Sequence, residues 1–414
     1  MYKNKNLWLV LCGFLVSGIG DSIYFISITY YLLSIDKTGE LLGIVLTINS
    51  IPALLLGPFA GVIADKYKKK ITIVSMDIIR FLLMSFMAIL LYYEHLSSFW
   101  IYLITLMVAI CNITFNPSIA AAIPLIVKDK NLNKANSLLH ATINIAIVVG
   151  PALGGILFNK LGFIIILILN AISYLISGIS EMFLTIRESN NDIEKGINIT
   201  KVLKETKEGF KIFLNITVIK YVVLFSVFTN FFFIPLFELI IPLSFKTILN
   251  YTSDKLGYAM TARAIGTIVG SMILFYLPEI KKKSRLFIGA TMAEGILFAL
   301  FGFTLFEYSI NILNHSITYL GYILGLFIIG ILMAILNIPV NVLVQRFSPK
   351  GKVGTVFAIM STLFRAIGPL SLFVYSVIVS KIQIGYIVLT SAILIILSCF
   401  FILFHPKLYK FRQI

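Results

Sequence analysis

Long apolar runs dominate this chain from end to end, in place of the alternating apolar and polar positions of a soluble protein. Each run has twenty or more mostly apolar residues, and a helix of that length crosses a hydrocarbon core of about 30 Å. The predicted spans are residues 7–34, 41–63, 72–93, 98–121, 138–158, 163–186, 218–246, 256–277, 285–306, 317–344, 353–379 and 384–404. The pattern therefore predicts an all-α membrane protein with twelve transmembrane helices.

Composition and charge agree with a membrane protein and exclude two other classes. Of the 414 residues, 59% are hydrophobic and only 13% are charged, which is too little charge to solvate a globular surface. The net charge of +16 is uneven: 25 of the 34 Lys and Arg residues fall in the loops on the N-terminal side, and 5 fall in the opposite loops. This asymmetry predicts a multi-pass protein of the cell (inner) membrane with both termini cytoplasmic, and argues against a nucleic-acid partner.

One long hydrophilic stretch divides the spans six and six. We predict an N-terminal six-helix bundle over residues 1–186, a cytoplasmic linker over 187–216 and a C-terminal six-helix bundle over 217–414. Within the linker, residues 200–214 mix apolar positions with lysines, which suits either a helix lying on the anionic lipid surface or a solvated connector.

The two halves repeat a set of small, basic and kink-forming residues in the same order. The matched positions are Gly57 and Gly61 with Gly266 and Gly270, Lys68 to Lys70 with Lys281 to Lys283, Asn116-Pro117 with Asn337-Ile338-Pro339, and Gly150-Pro151 with Gly368-Pro369. Four matches in one order at similar offsets indicate an internal duplication. Parallel repeats of this kind in transporters hold a binding site between the halves near the membrane midplane.

Acidic residues inside the spans are candidates for proton coupling, because an ionisable group at this depth is unfavourable by at least about 2.5 kcal/mol. Asp21 lies in the middle of the first span with no basic residue in that span, so desolvation favours its neutral form. The alternative is a hydrogen-bonded Asp that only locks helix packing. Glu238 and Glu294 are the further candidates, and Arg263 and Arg365 are the cations that could neutralise them.

Three other intramembrane charges look structural. Asp77 and Arg80 stand three residues apart near the cytoplasmic end of the third span, where they can pair with each other or with loop charges. Glu181 lies close to the end of the sixth span, from which its side chain can reach water. We therefore expect Glu181 to play no part in transport.

Polar and aromatic side chains at helical spacing predict the lining of a substrate cavity. Amides recur every fourth residue in two matching spans, and an Arg and a Phe lie in other spans of the second half. The predicted lining residues are Asn112, Asn116, Asn337, Asn341, Phe233 and Arg365. Hydrogen bonding between helices explains the amides equally well, and contact with lipid explains the Phe.

Metal, cofactor and enzyme chemistry have no support in the sequence. Cys12, Cys111 and Cys399 all lie inside predicted spans, so a disulfide or a Cys-rich metal site is not expected. The chain has no phosphate-binding loop, no paired zinc histidines and no recognisable pairing of a nucleophile with a base. We expect a protein without a cofactor that is not an enzyme.

The loop between the second and third spans resembles a motif of the major facilitator superfamily. The stretch Gly61-Val62-Ile63-Ala64-Asp65-Lys66-Tyr67-Lys68-Lys69-Lys70 is similar to G-x-x-x-D-[RK]-x-G-[RK]-[RK], with Lys68 where the family has Gly. The resemblance covers essentially the whole chain. It implies a gating group of residues that regulates the switch between access states. We take this group to be Gly61, Asp65, Lys66, Lys69 and Lys70 together with Asp77 and Arg80.

A second motif resembles the antiporter sequence G-P-x-x-G-G of exporters in this superfamily. Gly150, Pro151, Gly154 and Gly155 match it, and the surrounding residues are similar to the macrolide-efflux and enterobactin-exporter branch. The resemblance implies an exporter of an amphipathic small molecule that exchanges its substrate for protons. We further expect a monomer whose other partners are membrane lipids. An Arg that many drug/proton antiporters carry in the fourth span is missing, so any coupling must use acids elsewhere.

Two other functions remain open on the sequence. The same fold serves importers and facilitators of small nutrients, and the antiporter motif is the argument against them. A membrane receptor that has lost transport is the third alternative, and the retained intramembrane acids argue against it.

Overall fold

The computed structural model describes residues 4–57, 67–186, 210–211, 213–276, 283–306, 313–348 and 353–404. Within these ranges every regular element is a helix. The main helices are α1 (Lys5–Ile35), α2 (Glu40–Leu55), α3 (Lys69–Tyr92), α4 (Ser98–Ile126), α5 (Leu132–Met182), α6 (Thr217–Pro235), α7 (Ser253–Tyr276), α8 (Lys283–Thr304), α9 (His315–Phe347), α10 (Val353–Val379) and α11 (Ile384–Phe404).

All of these helices except α2 are long and apolar enough to cross a membrane. In the described part of the chain, 10 helices are long and apolar enough to cross a membrane, and α2 is a shorter apolar helix whose predicted continuation to residue 63 lies outside the described residues. Helix α5 has 51 residues, about twice the length of one crossing. It breaks at Gly162, where φ is 74°, so it supplies two crossings. The prediction of an all-α protein with twelve transmembrane helices is confirmed.

Helix α6 departs from the single predicted helix over residues 218–246. After Pro235 the chain forms a π turn at Leu236–Ile240, a short α turn at Ile241–Leu243 and a second π turn at Ser244–Ile248. Pro242 has no N–H to donate to the Glu238 carbonyl, so the helix pairs over a wider turn instead. Glu238 therefore lies inside a π turn, an irregularity that often accompanies a functional site.

The chain divides into two compact units. Unit 1 comprises Met1–Ile35, Val45–Ile197 and Thr252–Thr261, and unit 2 comprises Asp36–Ile44, Asn198–Tyr251 and Ala262–Ile414. Unit 1 thus includes the beginning of α7, and unit 2 includes the beginning of α2. Most of the predicted linker lies outside the described residues, although Phe213 from its end is buried in the apolar core of unit 2.

Each unit has its own apolar core where its helices meet. The core of unit 1 joins α1, α3, α4 and α5 and includes Leu11, Ile73, Phe115, Ile119 and Leu139. The core of unit 2 joins α6, α8, α9, α10 and α11 and includes Val223, Phe287, Val344, Met360 and Cys399.

Candidate functional site

Asp21 faces the second arm of α5, the part of that helix that follows Gly162. The hydroxyl of Tyr174 donates a hydrogen bond to Asp21 Oδ1. The neighbouring Gly20 lets the two helices approach, because a Cβ there would overlap the side chains of Ser173 and Asn170. Tyr174 is fully buried, whereas Asp21 keeps part of its surface exposed. Asp21 therefore contacts the buried interior of unit 1 through Tyr174, while part of its own surface remains accessible.

Arg80 of α3 occupies the centre of the same interior. It is 2% exposed, and its guanidinium forms an ion pair with Asp77 as the spacing predicted. The guanidinium also donates to Asn112 Oδ1 at 2.8 Å. Its carbon lies 4.1 Å from the centre of the Phe115 ring and 4.5 Å from that of Tyr174. Arg80 is thus held on every side by one ion pair, one amide and two aromatic faces.

The span of Asp21 contains no basic residue, and the structure brings one to it from another helix. Arg80 acts on Asp21 electrostatically from α3, and its guanidinium also lies over the ring of Tyr174, whose hydroxyl donates to Asp21. The sequence showed no basic residue because the cation belongs to another helix. The carboxylate of Asp21 and the guanidinium of Arg80 are therefore two ends of one polar network.

Glu181 also belongs to this network, and the prediction that its side chain reaches water is wrong. It is 0% exposed, near the end of α5, and it lies beside the Asp77 carboxyl and the Ser177 hydroxyl. Neither Glu181 oxygen has a hydrogen-bond partner of normal geometry, and neither has Asp77 Oδ2. The side chain points into the helix packing because of its rotational position on α5, and its place near the helix end does not decide its exposure.

These groups form a column, which we call the polar column and which consists of Asp21, Tyr174, Arg80, Asp77 and Glu181. Tyr174 and Glu181 are seven residues apart on one helix, so the column extends about 10 Å along α5. At its far end the hydroxyl of Ser180 donates to the Leu9 carbonyl at 3.0 Å, close to the beginning of α1. The column therefore leads from the middle of α1 toward the membrane face on which the N-terminus lies.

The two acids of unit 2 have different surroundings. Glu238 interacts electrostatically with Arg263, whose guanidinium lies 4.8 Å from the centre of the Phe237 ring. Glu294 is 1% exposed, and no cation acts on it among the described residues. We expected Arg263 and Arg365 to neutralise these two acids. Among the described residues, only Arg263 does so, and it acts on Glu238. Arg365 is exposed in the middle of α10.

The predicted cavity residues divide into exposed and packed groups. Asn116, Asn337 and Asn341 are exposed. Asn112 accepts the hydrogen bond from Arg80, as the alternative of hydrogen bonding between helices required. Phe233 is 8% exposed and packs on the rings of Phe237 and Phe298, so it belongs to the interior of unit 2.

The gating group is described only in part. Gly61, Asp65 and Lys66 lie outside the described residues. Lys69 and Lys70 begin α3 and are partly exposed, whereas Asp77 and Arg80 lie two turns further along the same helix.

The antiporter motif is a site of very close helix contact in unit 1. A Cβ on Gly150 would overlap the Ser22 side chain, and one on Gly154 would lie 2.9 Å from the backbone of Ile23. The motif therefore presses α5 against α1 just after Asp21, at a distance that only glycine permits.

The last glycine of the motif contacts the beginning of α7, which is also part of unit 1. A Cβ on Gly155 would overlap the Ser253 carbonyl and lie 2.8 Å from Asp254 Cα. The hydroxyl of Ser253 donates to the Gly155 carbonyl at 2.8 Å. Gly257 fits in the same way against the Pro151 carbonyl. All four positions of the motif thus take part in close helix packing, Gly150 against the Ser22 side chain and the other three in contacts between backbones.

No group of three His, Cys, Asp or Glu side chains in the described ranges is arranged to hold a metal ion. The polar column consists of three carboxyls, a guanidinium and a phenol, and its Asp77 and Arg80 form an ion pair.

Comparison with known proteins agrees with the helix arrangement and the motifs. The sequence profile of the Major Facilitator Superfamily matches residues 10–372. Macrolide efflux protein A of Streptococcus pyogenes is 22% identical over 407 residues, covering 95% of each chain. Two solved structures, of the nucleoside transporter NupG and of a D-xylose-proton symporter, both have a TM-score of 0.73 and are 14% identical. The first match covers 96% of this chain and 98% of the other, and the second covers 100% and 99%.

A profile match over most of the sequence, on a fold of twelve membrane-crossing helices, assigns the chain to a family of membrane transporters and not of enzymes. The protein is a multi-pass membrane protein that belongs to the Major Facilitator Superfamily.

Proposed function

We propose that this protein exports an amphipathic small molecule across the cell membrane in exchange for protons. The observation that carries the proposal is the similarity to macrolide efflux protein A, which extends over 95% of both chains. A match of that extent spans both halves of the chain. Macrolides are for this reason the first substrate class to test.

The antiporter motif supports the exporting direction. Its glycines hold α5 against α1 and the beginning of α7 at distances that no other residue allows. Such contact leaves no room for water or ions between these helices, which limits leakage of protons in one access state. An exporter driven by protons needs that seal because a leak would dissipate its driving force.

The exposed polar side chains suit an amphipathic substrate. Asn116, Asn337 and Asn341 present amide groups that can donate and accept hydrogen bonds, and Arg365 adds a cation. A compound with a hydrophobic body and a few polar groups can form hydrogen bonds with such side chains. The positive-inside bias places both termini in the cytoplasm in this proposal.

Protons can supply the required energy through the buried acids. A proton that moves inward down a potential of about 100 mV releases about 2.3 kcal/mol, equivalent to roughly fifty-fold accumulation of a substrate. Asp21 is the proposed first proton acceptor because it is the partly exposed end of the polar column. Glu238 and Glu294 are the corresponding candidates in unit 2.

The test is efflux of labelled macrolides and a panel of other amphiphiles from cells that express the wild type or Asp21→Asn, with and without a protonophore. Glu94→Gln is the matched control because Glu94 is an exposed acid in the turn between α3 and α4. We expect export that the protonophore abolishes, that Asp21→Asn loses and that Glu94→Gln keeps.

Two results would overturn the proposal. Export that continues with the protonophore present would exclude proton exchange as the driving force. Uptake of a labelled nutrient, without export of any amphiphile, would assign the protein to the importers of the same family.

A further inference from the structure

The polar column contains more acid than base. Asp21, Asp77 and Glu181 contribute three carboxyls, and among the residues that the structure describes Arg80 is the cation that acts on all of them. If all three acids were ionised, the column would carry a net charge of two negative units inside apolar helix packing. A buried ion without a partner is unfavourable by several kcal/mol. The column must therefore hold at least one proton.

The hydrogen bonds of the three acids indicate which of them holds that proton. Asp77 has the direct ion pair with Arg80, and Asp21 receives the Tyr174 hydroxyl and remains partly exposed. Glu181 is completely buried beside the Ser177 hydroxyl, but among the described residues it has no ion pair and neither of its oxygens has a hydrogen-bond partner of normal geometry. An ionised Glu181 would keep its full desolvation penalty, so Glu181 is the acid that must be neutral.

A proton on Glu181 also satisfies its neighbour. Asp77 Oδ2 is a second buried oxygen without a donor, and the two carboxyls lie side by side. One proton between them joins two of the three unsatisfied carboxyl oxygens in a single hydrogen bond. Gly178 makes the approach possible, because a side chain at this position would press on Asp77 Cβ, 3.3 Å from the added Cβ.

We propose that Asp77 and Glu181 bind one exchangeable proton between them, and that Arg80 and Tyr174 connect this pair to Asp21. The pair would then be a proton site of the export cycle, a role that rests on the proposed function. A proton that neutralises Asp21 leaves Arg80 to interact with Asp77 alone, and this favours release of the proton shared with Glu181. The proton comes from water and returns to water, so no other reactant is needed.

The other titratable groups that face the column do not change this charge balance. Tyr24, Tyr174 and Cys111 are phenols and a thiol, which are neutral near pH 7 at their ordinary pKa values. Listed by helix, the groups are Asp21 and Tyr24 on α1, Asp77 and Arg80 on α3, Cys111 on α4, and Tyr174 and Glu181 on α5.

Infrared difference spectroscopy of the purified protein in lipid nanodiscs tests the proton site without any substrate. Protonated carboxyls have a C=O stretch that is separate from the carboxylate bands. We expect one protonated-carboxyl band to disappear in Glu181→Gln and also in Asp77→Asn. In Asp77→Asn the new amide can donate a hydrogen bond to Glu181, and Arg80 can neutralise the Glu181 carboxylate, so Glu181 no longer needs a proton. Glu94→Gln should leave the spectrum unchanged, and Glu294→Gln should remove a different component.

Either of two spectral results would overturn the shared proton. One is that the protonated-carboxyl band persists in Glu181→Gln, which would mean that Glu181 carries no proton. The other is a component that Asp77→Asn leaves unaltered, which would show that Asp77 has no part in binding it. If Glu181→Gln fails to elute as a folded protein, the Asp77→Asn spectrum alone decides.

Transport in proteoliposomes tests the role of the pair in the cycle. With a gradient of one pH unit, exchange of one proton per substrate gives about tenfold accumulation, and we expect the Glu181→Gln ratio to fall to about one. Exchange of labelled for unlabelled substrate without a gradient should continue. Driven transport that survives in Glu181→Gln would overturn the coupling role. A wild type that moves no substrate but shows the predicted spectra would refute the exporter alone.

Discussion

Gly150 and Gly368 occupy matching places in the two halves, each before a proline, but their surroundings differ. A Cβ on Gly150 would overlap the Ser22 side chain and approach Ser22 Cα to 3.4 Å, whereas a Cβ on Gly368 would meet no atom within 4 Å. Replacement by Ala brings the same gain in helix propensity at both sites, about 1 kcal/mol at most. That gain cancels in the comparison, so Gly150→Ala should be less stable than Gly368→Ala by the overpacking term, about 1–3 kcal/mol.

The cysteines of the chain provide the assay. Cys111 in unit 1 and Cys399 in unit 2 are buried, and Cys12 is exposed. In a Cys12→Ser background, a dye that fluoresces on reaction with thiols reports unfolding of each unit as the protein is heated. For units of about 200 residues, the expected difference in apparent Tm between Gly150→Ala and Gly368→Ala is roughly 2–12 °C.

Equal shifts in the two variants would refute the argument, because they would mean that α1 and α5 separate without resistance at Gly150. A larger loss in Gly368→Ala would refute it more strongly. A Cys111→Ala variant identifies which unit each transition belongs to, since only the Cys399 signal then remains.

Three further predictions concern other parts of the chain. Asn112→Leu leaves the buried Arg80 guanidinium without its 2.8 Å acceptor, so the apparent Tm of unit 1 should fall by the equivalent of about 1–3 kcal/mol. In a cysteine-free background, Arg365→Cys should react with a membrane-impermeant thiol reagent and Leu370→Cys should not, because an exposed Arg inside a span must face water; equal reaction would contradict this. Partial burial opposes ionisation of Asp36, but hydrogen bonds from a neighbouring hydroxyl and from backbone N–H groups outweigh it and lower the pKa of Asp36. The ionised Asp36 therefore stabilises the fold above the ordinary Asp pKa of about 3.9, and this stabilisation is lost as the pH falls through the lowered pKa. The Tm difference between wild type and Asp36→Ala should stay constant from about pH 8 to pH 5.

The number and type of crossings could be predicted because a membrane leaves the backbone few choices. Each apolar run of sufficient length has to form a helix to satisfy its own N–H and C=O groups. The interruptions could not be predicted. Gly162 replaces the expected connection between two spans by a single residue with positive φ, and the π turns after Pro235 depend on which carbonyl each N–H finally meets.

Local spacing predicted one contact of the polar column and missed the others. Asp77 and Arg80 are three residues apart, so their ion pair follows from helix geometry alone. Contacts between Asp21, Tyr174 and Arg80 join three helices, and no periodicity within one span determines them. The burial of Glu181 did have a signal, because Tyr174 and Glu181 are seven residues apart and therefore share one face of α5.

The π turns of α6 make this helix a place where the chain can change length. A π turn contains one residue more than an α turn, so deleting a residue from Leu236–Ile240 can restore a regular helix and leave later residues in their original orientation. A deletion in α11, which is regular throughout Ile384–Phe404, would instead rotate every later side chain by about 100°. Homologous chains should therefore gain and lose single residues around Glu238 far more readily than in other crossings, and changes there would alter the surroundings of this acid without disturbing the rest of unit 2.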